Sequence, residues 1–123
     1  DQHVCHNRIE IDLASTFAVT GILGQAFAER NIVNNAMRLR NTAGAAVGIQ
    51  LEAILTSLSD KNALNGNSIR FFGGVVGYNT GIVLTTGANE NAGLDNTIDG
   101  ADTGILDLGT GNRVNAVDGG TWE

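Results

Sequence analysis

Three residues near the start of the chain, His3, Cys5 and His6, are of types that bind transition metals. A structural zinc site needs about four such ligands, and the sequence has one Cys and two His in all. Haem attachment through C-x-x-C-H fails as well, because the first Cys of that pattern is absent. We therefore interpret the three residues as a cluster on a flexible N-terminal arm, residues 1–7.

The segment from Asp95 to Thr103 has the side-chain pattern of a calcium-binding loop. Oxygen-bearing side chains stand at alternate positions and a Gly at the sixth, an arrangement that wraps a hard cation. The twelfth position, where an EF-hand has a bidentate acid, is Leu106, and the flanking sequence is not helical. An EF-hand is therefore excluded, which leaves a looser Ca²⁺ site or a solvated turn. The candidate Ca²⁺ ligands are Asp95, Asp99, Asp102 and Asp107.

The charge is concentrated in the C-terminal third of the chain. Residues 1–88 carry equal numbers of acids and bases, whereas residues 89–123 carry seven acids against one base, Arg113. Such a surface repels a phosphate backbone and attracts cations, so we expect no nucleic-acid partner.

No catalytic constellation stands out in the sequence. Glycoside hydrolysis by paired carboxylates needs a cleft with aromatic platforms, and the chain has six aromatic residues in total. A nucleophile supported by His is conceivable only as Cys5 or a Ser with His3 or His6, and no local signature supports it. The sequence therefore predicts a non-catalytic protein with no certain cofactor.

The N-terminal half combines one strand pattern with two helix patterns. Arg8–Leu13 alternates polar and apolar residues, which is typical of a half-buried strand. Residues 22–40 place apolar residues at steps of three or four and end in bases, which predicts a helix. Residues 45–59 carry an apolar stripe at helical spacing and predict a second helix.

The C-terminal half has a different pattern, since thirteen of the seventeen glycines lie from Gly66 onward. Four runs of strand length alternate with Gly, Asn and Asp turns, at residues 68–72, 80–86, 103–108 and 112–117. We predict an α+β fold with two N-terminal helices on a mainly antiparallel, Gly-rich sheet. The chain is expected to be one domain: the arm 1–7, strand plus helices 8–66, and a β-rich part 67–123 with the acidic loop.

The run FFGGVVGYNTGIVLTTGANENAG, with VNAVDGGTWE further on, resembles the opening part of the choice-of-anchor L domain of secreted bacterial surface proteins. About half the chain carries this resemblance, which implies a cell-surface, β-rich, non-catalytic module. The matching residues are Phe72, Gly73, Gly74, Gly77, Gly81, Ile82, Val83, Leu84, Thr85, Thr86, Gly87, Asp118, Gly119, Gly120 and Thr121.

Composition also indicates where the protein acts. The chain opens on Asp1, so either a leader has been removed or the chain is an excised piece; the Gly, Asn and Thr usage favours a removed secretory leader. No apolar run approaches the roughly 18–20 residues of a membrane span. We expect a secreted or cell-surface protein.

Self-association is the function that the sequence favours. A sheet that ends on an apolar strand leaves an unpaired edge, which another copy of the chain can complete. Strand donation would use Ile9, Ile11 and Leu13, and a basic helix face would meet the acidic third of the next subunit through Arg30, Arg38 and Arg40. The expected product is an extracellular assembly such as a filament, and the alternative is a Ca²⁺-dependent adhesion or ligand-binding module.

Overall fold

The structure is a computed structural model that describes residues 3–54 and 58–118. Within these residues the chain forms short β-strands and no helix. In chain order the strands are β1 (His3–Cys5), β2 (Arg8–Leu13), β3 (Val19–Gln25), β4 (Asn31–Val33), β5 (Ala36–Asn41), β6 (Ala46–Glu52), β7 (Ala63–Asn65), β8 (Ser68–Phe71), β9 (Asn79–Leu84), β10 (Ala92–Asp99), β11 (Thr103–Asp107) and β12 (Arg113–Asp118).

The strands stack in parallel as three faces of a β-helix. The first face contains β1, β4, β7 and the beginnings of β10 and β12. The second face contains β2, β5, β8 and the ends of β10 and β12. The third face contains β3, β6, β9 and β11. Each turn of the chain around the axis is therefore one coil, and each coil pairs with its neighbours alone.

The core is built from columns of apolar side chains, one residue per coil. Residues in register on successive strands point the same way, so one inward position repeats along the axis. The first face contributes Val4, Ile32 and Leu64; the second, Ile9, Met37, Ile69 and Ile98; the third, Ile22, Ile49, Ile82 and Ile105. Val4, Ile9 and Ile105, each at one end of a column, are half-buried, and the other members of the columns are buried.

Asparagines form a hydrogen-bonded ladder at the corner between the first two faces. Asn7, Asn35, Asn67 and Asn96 stand one per coil, at intervals of 28, 32 and 29 residues. Each of the first three donates its side-chain amide to Oδ1 of the next, at 2.9–3.0 Å. The ladder thereby pairs polar groups that would otherwise be buried without partners.

A second ladder occupies the corner between the third face and the first. Asn62 donates to Oδ1 of Asn91 at 2.9 Å, and Asn91 donates to Oδ1 of Asn112 at 3.0 Å. Their other amide hydrogens reach backbone carbonyls, of Phe27 from Asn62 and of Ser59 from Asn91. Both corners are thus fixed by the same residue type.

The predicted α+β fold is wrong: the described residues are all-β, and every strand pair is parallel. Residues 22–40 form the end of β3 with β4 and β5, and the predicted helix 45–59 contains β6, with residues 55–57 outside the described part. The spacing of the apolar residues predicts helices wrongly because corners separate the short strands. Inward-facing positions on either side of a corner then fall three or four residues apart by chance. Tertiary stacking then decides the conformation.

Several strand predictions are confirmed, although their antiparallel arrangement is not. Arg8–Leu13 forms β2 with the predicted bounds, and the four C-terminal runs correspond to β8, β9, β11 and β12 within two residues at each end. Residues His3–Cys5, placed by the sequence on the arm, form β1. The predicted acidic loop lies partly in β10, which extends to Asp99.

Candidate functional site

The N-terminal cluster of metal-binding residue types spreads out in the structure. His3 Nδ1 lies 2.8 Å from the side-chain nitrogen of Asn31, and Cys5 is an exposed free thiol. Across residues 3–54 and 58–118, no three His, Cys, Asp or Glu side chains come close enough together to hold a metal ion. The geometry therefore adds nothing to a metal role for this cluster.

The four candidate Ca²⁺ ligands have separate surroundings. The Asp99 carboxylate lies 3.6 Å from Nε of Arg70. Asp102 accepts a hydrogen bond from the backbone N–H of Asn79 at 3.0 Å. Asp107 accepts one from the side-chain amide of Asn112 at 2.8 Å. Asp95 lies within β10 at a positive φ of 59°. The calcium site stays a prediction from the sequence, without a shared pocket for these carboxylates in the described part of the chain.

The predicted strand donor lies at one end of the β-helix. β2 pairs with β5 alone among the described strands, and β1 and β3 likewise have one partner each. Ile9 and Ile11 pack against the core, whereas Leu13 is half exposed. The backbone of β2 therefore has one paired side and one open side.

The open side of β2 can be assigned residue by residue. Ala36 donates its N–H to the carbonyl of Asn7, and Thr42 donates to that of Leu13, so odd-numbered residues of β2 face β5. Because backbone groups alternate along a strand, the N–H groups of Arg8, Glu10 and Asp12 point away from the sheet.

The same end of the molecule leaves one terminus of the first asparagine ladder open. Asn7 donates its N–H and its side-chain amide to Asn35, but no described residue donates to its Oδ1. At the other end, β11 and β12 each have one described strand partner, β9 and β10. Both ends thus present parallel strand edges.

The three arginines predicted to meet a neighbouring subunit do not share a helix face. Arg38 and Arg40 project outward from β5, and each pairs with an acid of β2 in the same chain. Arg30 stands just before β4, on a different face, where its N–H donates to Asn62.

The outward side of the second face carries a column of charged residues. Glu10, Arg38, Arg70 and Asp99 stand in register on β2, β5, β8 and β10. Arg38 approaches Glu10 at 3.2 Å, whereas the contact between Arg70 Nε and Asp99 is longer, 3.6 Å. The two arginines are therefore direct cross-strand neighbours between two acids.

A neighbouring column on this face is tightly paired. Arg40 donates to both carboxylate oxygens of Asp12, at 2.8 and 2.7 Å. This bidentate hydrogen bonding, with the positive charge, lowers the pKa of Asp12 below its ordinary 3.8 and raises the pKa of Arg40. The guanidinium groups of Arg38 and Arg40 also lie 4.4 and 4.8 Å from the ring centre of Phe72.

A groove of about 230 Å³ runs beside the charged column. The small side chains of Ala36 and Ser68, in register on β5 and β8, leave the space open. Arg8, Arg38 and Arg70 line it. Glu10 is the one acid in this lining, so the groove is positively charged, and guanidinium groups can donate bidentately to carboxylate, sulfate or phosphate.

Reasoning from the sequence missed the repeat that builds these sites. Asn followed two residues later by an inward apolar residue recurs at Asn7, Asn35, Asn67 and Asn96. A Gly-Ile pair recurs on the third face, at residues 21–22, 48–49, 81–82 and 104–105. Self-comparison of the sequence at offsets near 30 residues would have found both patterns.

Comparison with known proteins returned no match: no family model, no curated protein and no solved structure resembles this chain closely enough to report. The likeness to the choice-of-anchor L domain therefore remains a resemblance between short motifs, and Gly119, Gly120 and Thr121 of that motif lie outside the described residues. No helix among the described residues is long and apolar enough to cross a membrane.

Proposed function

We propose that this protein is a non-catalytic structural module of an extracellular or cell-surface assembly, in which β-helices join end to end by parallel strand pairing. The supporting observation is the open side of β2, where the N–H groups of Arg8, Glu10 and Asp12 have no strand beside them among the described residues. Unpaired backbone groups in a row are a template for another strand.

The partner in this proposal is a second copy of the chain. At the opposite end, β12 runs in the same direction as β1 and β2 and lies on the same two faces, so stacking one copy on the next continues each parallel sheet. Contact between two different ends is heterologous, and such contacts build open filaments when the rotation does not close. Asn7 Oδ1 offers an additional acceptor at this junction.

The interior of the fold is consistent with joining at the ends. The core columns reach the end coils with half-buried residues, among them Val4 and Ile9 at one end and Val114 and Ala116 at the other. Covering these residues with another coil removes apolar surface from water, which stabilises the junction.

The experiment is light scattering with negative-stain microscopy over a series of concentrations, with Glu10→Pro as the variant. Proline removes the outward N–H at the centre of the open edge and leaves the paired side intact. We expect the wild type to form rods that lengthen with concentration, and Glu10→Pro to remain monomeric with an unchanged β-sheet circular dichroism spectrum.

Glu10→Gln is the matched control, since it removes the carboxylate that pairs with Arg38 but keeps the N–H. This variant should form rods as the wild type does. A wild-type protein that stays monomeric at every concentration contradicts the proposal, and so do rods formed by a correctly folded Glu10→Pro.

A further inference from the structure

The groove is positively charged on a negatively charged protein. The chain carries a net charge of −6, yet three arginines and one acid line the groove. Those arginines are Arg8, Arg38 and Arg70, and the acid is Glu10. The groove borders the open edge, because β2 contributes Arg8 and Glu10 to its lining.

Two of these arginines retain donors for a ligand. Arg8 makes no ion pair with any described residue. Arg70 is 64% exposed, and its closest approach to Asp99 is 3.6 Å, beyond a good hydrogen bond. Arg40, by contrast, is held by both oxygens of Asp12.

The juxtaposition of Arg38 and Arg70 also favours an anion at this place. The two residues face each other in register on adjacent strands, about 5 Å apart at the backbone. Like charges directly opposite are destabilising, and Glu10 offsets only the charge of Arg38, so an anion that accepts hydrogen bonds from Arg70 relieves the remaining repulsion.

The groove lies over β5, between β2 and β8, which limits what it can recognise. The neighbouring strands on both sides of β5 use its backbone groups, so only side chains face a ligand here. A peptide that binds by strand addition needs a free edge, which this groove does not offer.

We propose that this groove binds a uronic-acid residue of an acidic polysaccharide. The sugar carboxylate accepts hydrogen bonds from Arg8 and Arg70 above the gap left by Ala36 and Ser68. Glu10 and Asp99 at the two ends of the arginine pair, with the Ser68 hydroxyl, provide acceptors for the sugar hydroxyls. Donors for one carboxylate beside acceptors for hydroxyls are the complement of a uronate.

The test is NMR titration of ¹⁵N-labelled protein with three probes: tetragalacturonate, the neutral tetrasaccharide maltotetraose, and tetraglutamate. We expect tetragalacturonate to shift the amide signals of Ala36 and Ser68 in a saturable way, and the other two probes to leave them unchanged. Equal shifts with tetraglutamate would reduce the groove to an anion site and overturn the sugar assignment. No saturable shift with tetragalacturonate would overturn the proposal entirely.

The double variant Arg8→Gln, Arg70→Gln tests the two donors. We expect it to weaken tetragalacturonate binding on the order of tenfold to a hundredfold, as loss of charge-assisted hydrogen bonds does. The double variant Arg30→Gln, Arg113→Gln is the matched control, because it removes the same two positive charges from residues that do not line the groove. Equal weakening by both changes would show a general charge effect and contradict the assigned groove.

Discussion

Asn35 and Asn67 are joined by two hydrogen bonds across adjacent coils: the backbone N–H and the side-chain amide of Asn35 both donate to Oδ1 of Asn67, at 3.1 and 2.9 Å. Asn67 in turn donates to the carbonyl of Ile32 and to Oδ1 of Asn96. One buried side chain therefore satisfies polar groups in three coils. Asn suits this position because its short amide both accepts and donates.

Replacing Asn67 with Ala should lower the free energy of unfolding by roughly 3 kcal/mol or more, because several buried polar partners lose their bonds at once. Urea denaturation followed by circular dichroism measures this change, with the slope of the transition as a check on two-state behaviour.

Asn31→Ala is the matched control for the ladder. It removes the same amide from β4, where the side chain makes one exposed contact with His3. We expect a change within about 0.5 kcal/mol, as is usual at the surface. If Asn67→Ala costs no more than Asn31→Ala, the ladder does not stabilise the coils.

The sequence predicts several of the strands, but it does not predict how the strands are arranged. Alternation over Arg8–Leu13 identifies a half-buried strand because the pattern is local. The same alternation is present in β5, where Met37 and Leu39 are buried and Arg38 and Arg40 project outward. The preceding apolar residues have helical spacing, and this spacing favours a helix over residues 22–40. In the structure that spacing spans a corner between strands rather than one element.

The parallel stacking could have been inferred only from the repeat. Pairing in this fold joins residues about 30 positions apart, which no window of 11–18 residues includes. The charged groove follows the same rule: Arg38 and Arg70 become neighbours through register, not through sequence proximity. Counting charges along the sequence identifies the acidic C-terminal third, but it does not identify the groove lined by arginines.

Gly48 packs closely against the adjacent strand of its own face and against a side chain of the second face. A Cβ at this position would stand 2.5 Å from the carbonyl oxygen of Gly81 and 2.7 Å from Cγ2 of Ile69. We predict that Gly48→Ala lowers the free energy of unfolding by about 3 kcal/mol, since a carbonyl in the adjacent strand has little room to move. Thermal and urea denaturation measure the loss.

Gly77→Ala is the comparison for the glycine prediction. A Cβ there meets no atom within 4 Å, but φ is +92°, so the cost is backbone strain of about 1–2 kcal/mol. We therefore expect the Gly48→Ala variant to be less stable than the Gly77→Ala variant. The reverse order would mean that the coils separate easily at Gly48 and that the close approach is not a constraint.

The pairing of Asp12 with Arg40 should make stability depend on pH in one direction. The pKa of Asp12 is lower in the folded protein than in the unfolded chain, where it takes its ordinary value of 3.8. The folded state therefore binds this proton less readily, so the pair's contribution to the free energy of unfolding is present above pH 3.8 and is lost as the pH falls through the folded-state pKa.

A double-mutant cycle with Asp12→Asn and Arg40→Gln, measured by urea denaturation at neutral and at acidic pH, isolates the interaction between the two side chains. We expect a coupling energy at neutral pH that shrinks with added salt and vanishes once Asp12 is protonated. A coupling energy that is the same at both pH values would show that the two side chains interact through packing rather than through charge.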